Sequence, residues 1–344
     1  MTIQFRKESY TFTYLDPRKN FEESPISLEV RFDPLLNRTT QVYGTQMRGY
    51  LGLAQPDLKA LVEKSRQGCP FCPQNLEAVT PQFPPSFWPQ GRIVLGEARV
   101  FPNMMPYAPY CAIGVFSTRH FYDLPDFTPP LLAHGLAAAQ VYFKRVMEFD
   151  RRVRYAYLAW NHLPPSGGSI FHPHLQLLAS YGPTNHHQDM LQASRRYQQE
   201  TGQNFWSEFV HREQELGERY LGSRGRVHWL VPFAPKGRFV DVMAVCEGSE
   251  GLLEARDQED LAWGLVRVFR YLHDQGFFSF NFSLSMCLQP GEPFFTQARI
   301  IPRATLGPME VSDYSFLELL QDQPGTLKPP EETCRELKEY FGHE

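Results

Sequence analysis

Residues 167–178 read Gly167-Gly168-Ser169-Ile170-Phe171-His172-Pro173-His174-Leu175-Gln176-Leu177-Leu178. If this stretch forms a β-strand, the alternation of side chains places His172, His174 and Gln176 on one face. Leu175 and Leu177 then face the core. The small residues at the start of the stretch supply backbone N–H groups that can approach an anion closely. The stretch therefore predicts an imidazole that faces a phosphate group.

Two histidines separated by one residue are also found in other settings. They occur on solvated edge strands, as half-buried pairs and at metal sites. The motif alone leaves these alternatives open, so the rest of the chain has to distinguish between them.

The composition indicates an ordinary globular protein whose 344 residues are enough for two domains or two fused halves. The net charge is −4 and the basic residues are dispersed, which argues against a nucleic-acid partner. The first 14 residues carry charges at Arg6, Lys7 and Glu8 and lack a continuous apolar segment, so we expect no signal peptide. No apolar run reaches membrane-spanning length, so we expect no membrane partner. Six unevenly spaced cysteines favour reduced thiols or a metal site, and hence a cytoplasmic protein.

Cys69 and Cys72 form one close pair of cysteines, and a proline follows each of them. Two thiolates at this spacing can bind one tetrahedral metal ion. A redox-active pair is the alternative, but such pairs usually open a helix, whereas Pro73 and the prolines that follow favour a loop. Metal binding is therefore the favoured interpretation. His120, at the end of a predicted buried strand over 111–116, is a candidate ligand only in combination with the cysteines.

The order of predicted elements repeats along the chain. In the first half, Thr128 caps a helix that runs to Asp150 and is followed by a strand and the stretch quoted above. The second half repeats this order, with residues 295–299 in the place of 172–176. A polar helical region over 185–221 joins the halves, and His186-His187 at its start is expected to be solvated. The second-half prediction comprises a strand over 239–245, a helix over 254–275, a strand over 277–288 and a strand over 294–301. The pattern indicates a duplicated α+β unit with one active copy.

The chain resembles the galactose-1-phosphate uridylyltransferase family of the histidine-triad superfamily. The resemblance extends from about Arg31 to Pro302 and is carried by short motifs. These are Cys69-Pro-Phe-Cys72-Pro-Gln-Asn75, Phe101-Pro-Asn103, Phe116-Ser-Thr-Arg-His120, Asn161, Ser169 and His172-Pro-His174-Leu-Gln176. It implies an α+β, histidine-triad-like fold of two fused antiparallel-sheet halves with helices packed on the sheet, an active half at 1–195 and a degenerate half at 196–344.

The resemblance also implies a reaction. His174 takes the place of the family's nucleophile, which attacks the α-phosphorus of a nucleotide sugar and forms a nucleotidyl-histidine in a ping-pong cycle. A UDP-sugar and a hexose 1-phosphate are the implied substrates, within galactose metabolism, and a homodimer is the implied assembly. Zinc, the implied cofactor, would be held by Cys69, Cys72, His120 and His172.

Further roles follow from the same resemblance. Gln176 and Ser169, with the backbone of Gly167 and Gly168, would hold the α-phosphate, and Asn161 would orient the loop. Phe101 and Asn103 fall where the family binds base and ribose. Arg31, Arg38 and Arg48 are candidates for phosphate contacts in the N-terminal arm, with Arg48 the best match.

Departures from the family leave the acceptor open. A second metal site of the family uses a His-x-His pair where this chain has Gln297-Ala-Arg299. A phosphorylase or hydrolase of nucleoside-diphosphate sugars or dinucleoside polyphosphates would use the same nucleophile with phosphate or water as acceptor. A hydrolase with both His172 and His174 as metal ligands is disfavoured, because the usual Asp-His extension of such a site is missing. A catalytically inactive nucleotide-binding protein is the remaining alternative.

Overall fold

A computed structural model describes residues 3–43, 52–307 and 309–342. Within these ranges the helices are α1 Leu58–Arg66, α2 Pro73–Val79, α3 Pro129–Phe149, α4 Asn185–Thr201, α5 Phe205–Leu216, α6 Ala255–Asp274, α7 Phe316–Leu320 and α8 Pro330–Phe341. The strands are β1 Lys7–Asp16, β2 Glu22–Phe32, β3 Thr39–Val42, β4 Ile93–Leu95, β5 Ala98–Pro102, β6 Tyr110–Val115, β7 Tyr155–His162, β8 His174–Ser180, β9 Tyr220–Arg224, β10 Val227–Leu230, β11 Val242–Cys246, β12 Ser279–Cys287, β13 Gln297–Arg303, β14 Thr305–Leu306, β15 Val311–Ser312 and β16 Gly325–Thr326. No helix in these ranges is both long enough and apolar enough to cross a membrane.

Ten strands form one antiparallel sheet in the order β4-β5-β6-β8-β7-β12-β13-β11-β10-β9. The first five belong to the N-terminal half and the last five to the C-terminal half, and the two sets meet where β7 pairs with β12. In each set, three strands precede a long helix and two strands follow it. This arrangement confirms the predicted α+β fold of two fused antiparallel halves. The predicted division after residue 195 falls within α4 and stays a prediction.

The pairing registers relate the two halves residue by residue. His174 is the first residue of β8, and Gln297 is the first residue of β13. Each lies opposite a valine of the strand that precedes the long helix of its half. Gln176 and Arg299 follow two residues later, on the same faces as His174 and Gln297. Residues 295–299 therefore occupy the place of 172–176, as the sequence predicts.

Helices α3 and α6 pack against each other and cover one face of the sheet. The predicted helix over 128–150 is confirmed, with the Thr128 hydroxyl accepting a hydrogen bond from the Leu131 amide. Helix α6 begins with a capping box formed by Glu254 and Asp257. Leu175 and Leu177 lie in the core beneath these helices, as the alternation predicts.

The opposite face of the sheet is covered differently in the two halves. In the N-terminal half, the segment that contains Cys69 and Cys72 packs on it through Phe71, whose ring lies 5.5 Å from that of Phe101. In the C-terminal half, α4 and α5 pack on the same face and bury Met243 of β11. The second half therefore has a filled apolar layer where the first half carries its polar residues.

The N-terminal arm forms a separate sheet in the order β1-β2-β3-β16. Arg31 of β2 forms a bidentate ion pair with Glu331 of α8, at 2.7 and 2.8 Å. Arg219 donates to the same carboxylate at 2.8 Å. Because both guanidinium groups are buried, this network ties the arm and the last helix to the rest of the chain.

Two local predictions are wrong. The Cys-x-x-Cys segment does open a helix: Cys72 is the N-cap of α2 and Pro73 is its first residue. Proline is well suited to that position because the first turn of a helix has no use for its missing N–H. His187 is buried rather than solvated, since its Nδ1 bonds to the Tyr157 hydroxyl at 3.0 Å and its ring packs against Phe294.

Candidate active site and metal centre

The structure brings together the four predicted metal ligands. Cys69, Cys72, His120 and His172 are all buried, and their ligand atoms lie within 4.8 Å of one another. The Cys72 Sγ atom is 3.3 Å from His120 Nδ1 and 3.7 Å from His172 Nδ1. Cys69 Sγ is 3.9 Å from His172 Nδ1. Two residues come from the turn before α2 and two from loops that follow β6 and precede β8, so the cluster joins three separate segments.

Hydrogen bonds on the far side of each imidazole determine its tautomer. Nε2 of His172 lies 2.8 Å from the carbonyl oxygen of Ser117, which can only accept, so Nε2 carries the proton. Ser65 Oγ donates to the carbonyl oxygen of Val62 and therefore accepts from His120 Nε2, at 3.0 Å. Both Nδ1 lone pairs consequently point into the cluster, as metal-bound histidines require.

The electrostatics of the cluster suit a cation. Burial, with the neighbouring Cys69, raises the pKa of the Cys72 thiol to about 11. Burial likewise lowers the pKa of His172 to about 4 and lowers that of His120. Without a cation, therefore, Cys72, His120 and His172 are neutral near neutral pH, whereas a bound metal ion stabilises the thiolate form of a cysteine directly. Two sulfur and two nitrogen ligands in a closed cluster fit tetrahedral zinc.

His174 lies next to this cluster but takes no part in it. Its Nδ1 is 2.9 Å from the carbonyl oxygen of His172, so Nδ1 carries the proton and the lone pair is on Nε2. Burial lowers the pKa of His174, and the hydrogen bond to His172 opposes this in part. The ring packs edge-on against Phe71 at 5.2 Å. The arrangement provides a neutral imidazole with a fixed tautomer.

The two histidines do not share one strand, contrary to the prediction. Strand β8 begins at His174, and His172 lies before it with its ring turned into the metal cluster. Pro173 cannot donate to a strand ladder, which is consistent with a strand that starts only after it. Gln176 is half-buried and shares the face of His174, whereas Ser169 is exposed.

The loop between β7 and β8 packs closely against the end of β7. The Gly167 backbone has a φ of 86°, in the left-handed region, and the Ser166 hydroxyl donates to the carbonyl oxygen of Leu163. A Cβ atom at Gly168 would lie 2.5 Å from the carbonyl oxygen of Asn161, so no larger residue fits there without movement. The glycines thus allow the loop to approach Asn161 closely.

Of the remaining predicted residues, Phe101 and Asn103 lie at the end of β5, two strands from His174 in the same sheet. Phe101 is buried against Phe71, and Asn103 is half-buried with its Oδ1 accepting from the Met105 amide at 3.0 Å. Arg48 lies outside the described residues. The other two arginine candidates are committed to ion pairs, because Arg31 binds Glu331 and Arg38 binds two aspartates, Asp189 and Asp322.

Three residues that contact the site were missed in the sequence. Ser65 and Ser117 determine the histidine tautomers, and Asn281 of β12 contacts both Asn161 and the loop. Ser117 lies within the quoted motif over 116–120, but nothing in the local sequence indicates these three roles, because each contact joins segments that are distant in the chain. The repeat could have placed Asn281 near the seam between the halves, but not its partners.

Comparisons with known proteins agree on the architecture. No protein-family model matches the chain. An uncharacterized protein of Archaeoglobus fulgidus is 27% identical over 344 residues, which cover 98% of this chain and 99% of that protein. An ADP-glucose phosphorylase of Arabidopsis thaliana, solved with bound ADP-glucose, has a TM-score of 0.69 at 16% identity and covers 91% of this chain and 99% of its own. A uridylyltransferase has a TM-score of 0.65 at 18% identity and covers 91% and 98%. The chain has the galactose-1-phosphate uridylyltransferase fold.

The predicted resemblance to the galactose-1-phosphate uridylyltransferase family is thereby confirmed for the fold. Within this fold the second half has no histidine at the position of His174, since Gln297 stands there. Arg299, in the place of Gln176, forms a bidentate ion pair with Asp241 at 2.7 and 2.8 Å. The Arg299 guanidinium is thus committed to the protein itself, and α5 packs against the neighbouring Met243.

Proposed function

We propose that this protein is a nucleotidyltransferase of the galactose-1-phosphate uridylyltransferase type that works through a covalent nucleotidyl-histidine at His174. The observation that carries the proposal is the hydrogen bond from His174 Nδ1 to the His172 carbonyl oxygen, which leaves the lone pair on Nε2. Histidine is suited to this role because its neutral ring is a nucleophile near neutral pH.

The proposed cycle has two transfers. The Nε2 lone pair attacks the α-phosphorus of a nucleotide sugar, the Nε2–P bond forms, and the bridging P–O bond breaks as hexose 1-phosphate leaves with its electron pair. A phosphate oxygen of a second hexose 1-phosphate then attacks the same phosphorus and the P–N bond breaks. UDP-glucose and another hexose 1-phosphate are the default pair of substrates.

Residues around His174 would stabilise the charge that develops on the phosphate. The Gln176 amide, the Ser169 hydroxyl and the backbone N–H groups of Gly167 and Gly168 are the proposed donors. Asn161 lies beneath the same loop and would orient it. We assign the base and ribose contacts to Phe101 and Asn103, and a phosphate contact to Arg48.

Zinc is the proposed cofactor, held by Cys69, Cys72, His120 and His172. The fit rests on four buried donors within 4.8 Å of one another and on two histidine tautomers that direct Nδ1 inward. When bound, zinc in a closed Cys2His2 site supplies structural stability rather than an activated water. The cluster then fixes the position of the His172 carbonyl oxygen. The hydrogen bond to this oxygen in turn fixes the orientation of the His174 ring.

A second candidate function keeps the nucleophile and changes the acceptor. An ADP-glucose phosphorylase shares the fold over 91% of this chain. The segment 305–310, which follows β13, matches the hexose-contacting segment of the uridylyltransferases poorly. Inorganic phosphate or water would then discharge the nucleotidyl-histidine formed from a nucleoside-diphosphate sugar or a dinucleoside polyphosphate.

The test is to detect the covalent intermediate. Purified protein is mixed separately with UDP-glucose, ADP-glucose, GDP-mannose and diadenosine tetraphosphate, and the intact mass is measured. We expect one nucleoside monophosphate to add to the wild type and none to add to His174→Ala. Adding hexose 1-phosphate, inorganic phosphate or buffer alone to the adduct then identifies the acceptor. Binding of a nucleotide without any adduct would contradict the proposal and support a catalytically inactive nucleotide-binding protein.

A further inference from the structure

We infer that Asn281, which belongs to the C-terminal half, determines the side-chain orientation of Asn161 and so presents N–H donors of Asn161 to the substrate phosphate. The inference rests on the proposed function, which places a phosphate beside the loop over Asn161. It assigns a positioning role in the active site to the half of the chain that has no nucleophile.

The contact lies at the seam between the two halves. Strands β7 and β12 pair there, and Asn161 lies directly opposite Asn281. The Asn281 Nδ2 atom donates to Asn161 Oδ1 at 2.8 Å and to the carbonyl oxygen of Ser166 at 2.9 Å. One side-chain amide therefore holds both the end of β7 and the loop that leads to the nucleophile.

The chemistry of its partners fixes which end of the Asn281 amide faces which group. Nη1 of Arg303 lies 2.9 Å from Asn281 Oδ1, and a guanidinium can only donate. The Ser166 carbonyl can only accept, so it must face Nδ2. If the Asn281 amide were reversed, its oxygen would face the Ser166 carbonyl oxygen and its nitrogen would face the Arg303 guanidinium. Neither contact could be a hydrogen bond, so the observed orientation is unambiguous.

Arg303 is itself held in place. Asp313 accepts from its Nε at 2.9 Å and from its Nη2 at 2.7 Å, and the Ala304 amide donates to the same carboxylate. The guanidinium also lies over the Tyr314 ring, 4.9 Å from its centroid. Since Asp313 is buried, the donor that fixes Asn281 is a preorganised ion pair.

The consequence falls on Asn161. Its Oδ1 is occupied by Asn281, so its Nδ2 is the end left to face the site, and Nδ2 has no hydrogen-bond partner among the described residues. A phosphate oxygen accepts hydrogen bonds and would be repelled by an amide oxygen in that place. The chain of contacts from Asp313 through Arg303 and Asn281 thus gives Asn161 the orientation that suits an anion.

The matched variants are Asn281→Asp, Asn281→Leu and Ser285→Ala. Aspartate keeps the shape and the Arg303 contact but puts an oxygen opposite Asn161 Oδ1, whereas leucine removes all three hydrogen bonds. Ser285 is half-buried on the same strand and lies opposite Tyr157, away from the loop, so its substitution is the control. All variants are first compared with the wild type in melting temperature and zinc content.

Single-turnover formation of the His174 adduct is the kinetic readout. We expect Asn281→Asp to slow it about 10- to 100-fold, as loss of a residue that orients a site group typically does, with Ser285→Ala unchanged. Because Asn281 acts through Asn161, the same substitution in an Asn161→Ala background should change the rate less than about twofold. An equal loss in both backgrounds would show a merely structural role and overturn the inference.

Amide hydrogen exchange of residues 163–169 supplies a readout that needs no substrate. Asn281→Leu should accelerate exchange in this loop, whereas Ser285→Ala should leave it as in the wild type. Unchanged exchange in Asn281→Leu would overturn the inference, whatever the rate of adduct formation. If the wild type forms no adduct with any nucleotide, the proposed function fails, and the exchange result still decides whether Asn281 holds the loop.

Discussion

Nδ1 of His174 donates a hydrogen bond to the carbonyl oxygen of His172 at 2.9 Å. This bond joins the proposed nucleophile to a residue of the metal cluster through a single peptide group. The two histidines therefore have different tasks, although the sequence places them only two residues apart. The imidazole of His172 faces the sulfur atoms of the cysteines, while its carbonyl oxygen holds the ring of His174.

The first prediction separates the roles of these two histidines. His174→Ala should retain about one zinc ion per chain and lose adduct formation by more than about 1,000-fold, because it removes the nucleophile and no ligand. His172→Ala should lose both zinc and adduct formation. Metal analysis of the purified variants, with intact-mass measurement of the adduct, checks both results. Loss of zinc in His174→Ala would instead identify His174 as a metal ligand.

The second prediction concerns the cysteines. Cys72→Ala should lose zinc, melt at a lower temperature than the wild type and form the adduct about 10- to 100-fold more slowly, since the cluster orients the segment before β8. Cys246→Ala is the matched control, because Cys246 is also a buried free thiol but lies outside the cluster. Metal content and thermal unfolding with and without a chelator measure the effect. A Cys72→Ala protein that keeps its zinc would contradict the assigned ligand set.

The third prediction is an acid-dependent loss of stability that involves Glu331. Burial alone would raise the pKa of this carboxyl, but the hydrogen bonds and charges of Arg31 and Arg219 outweigh burial and lower it to about 2. A pKa that folding depresses stabilises the protein above the unfolded value, near pH 4.5, and this stability is lost as the pH falls towards 2. The shift corresponds to about 3 kcal/mol.

Urea unfolding of Glu331→Gln between pH 7 and pH 2.5 tests this. The variant should be less stable than the wild type at neutral pH, and the difference should shrink as the pH falls below about 4.5. Burial raises the pKa of the nearby Glu213 to about 7, so its own contribution changes at higher pH than that of Glu331. Glu339→Gln, at an exposed position of the same helix, is the control. Parallel pH profiles for Glu331→Gln and the wild type would refute the prediction.

The fourth prediction concerns the contact between α6 and the sheet. A Cβ atom at Gly264 would lie 2.1 Å from the indole ring of Trp229, which is itself buried. Gly264→Ala should therefore destabilise the protein by about 1–3 kcal/mol, even though alanine favours a helix by about 1 kcal/mol over glycine. Arg270→Ala, at an exposed position of α6, should change the stability by less than about 0.5 kcal/mol. A Gly264→Ala protein as stable as the wild type would show that the ring can move.

Much of the architecture could be predicted because it depends on local patterns. The Thr128 cap, the apolar spacing of α3 and the alternation of Leu175 and Leu177 all concern residues close together in the chain, and the structure confirms them. The cysteine pair could be proposed as metal ligands because thiolates at this spacing restrict the possible chemistry, and the family resemblance supplied His120 and His172. The start of α2 at Pro73 was missed, because proline is compatible both with a loop and with the first turn of a helix.

The sequence by itself determined the repeated order of strands and helices and the difference between the motifs at 172–176 and 295–299, and the family resemblance singled out His174 as the proposed nucleophile. Only the tertiary structure decided that His172 leaves the strand for the metal cluster and that Asn281 faces Asn161 across the seam. The physical reason is the range of the interactions. Periodicity and capping act between neighbours in the chain, whereas the seam contact pairs residues 120 positions apart whose meeting depends on how two complete half-sheets align.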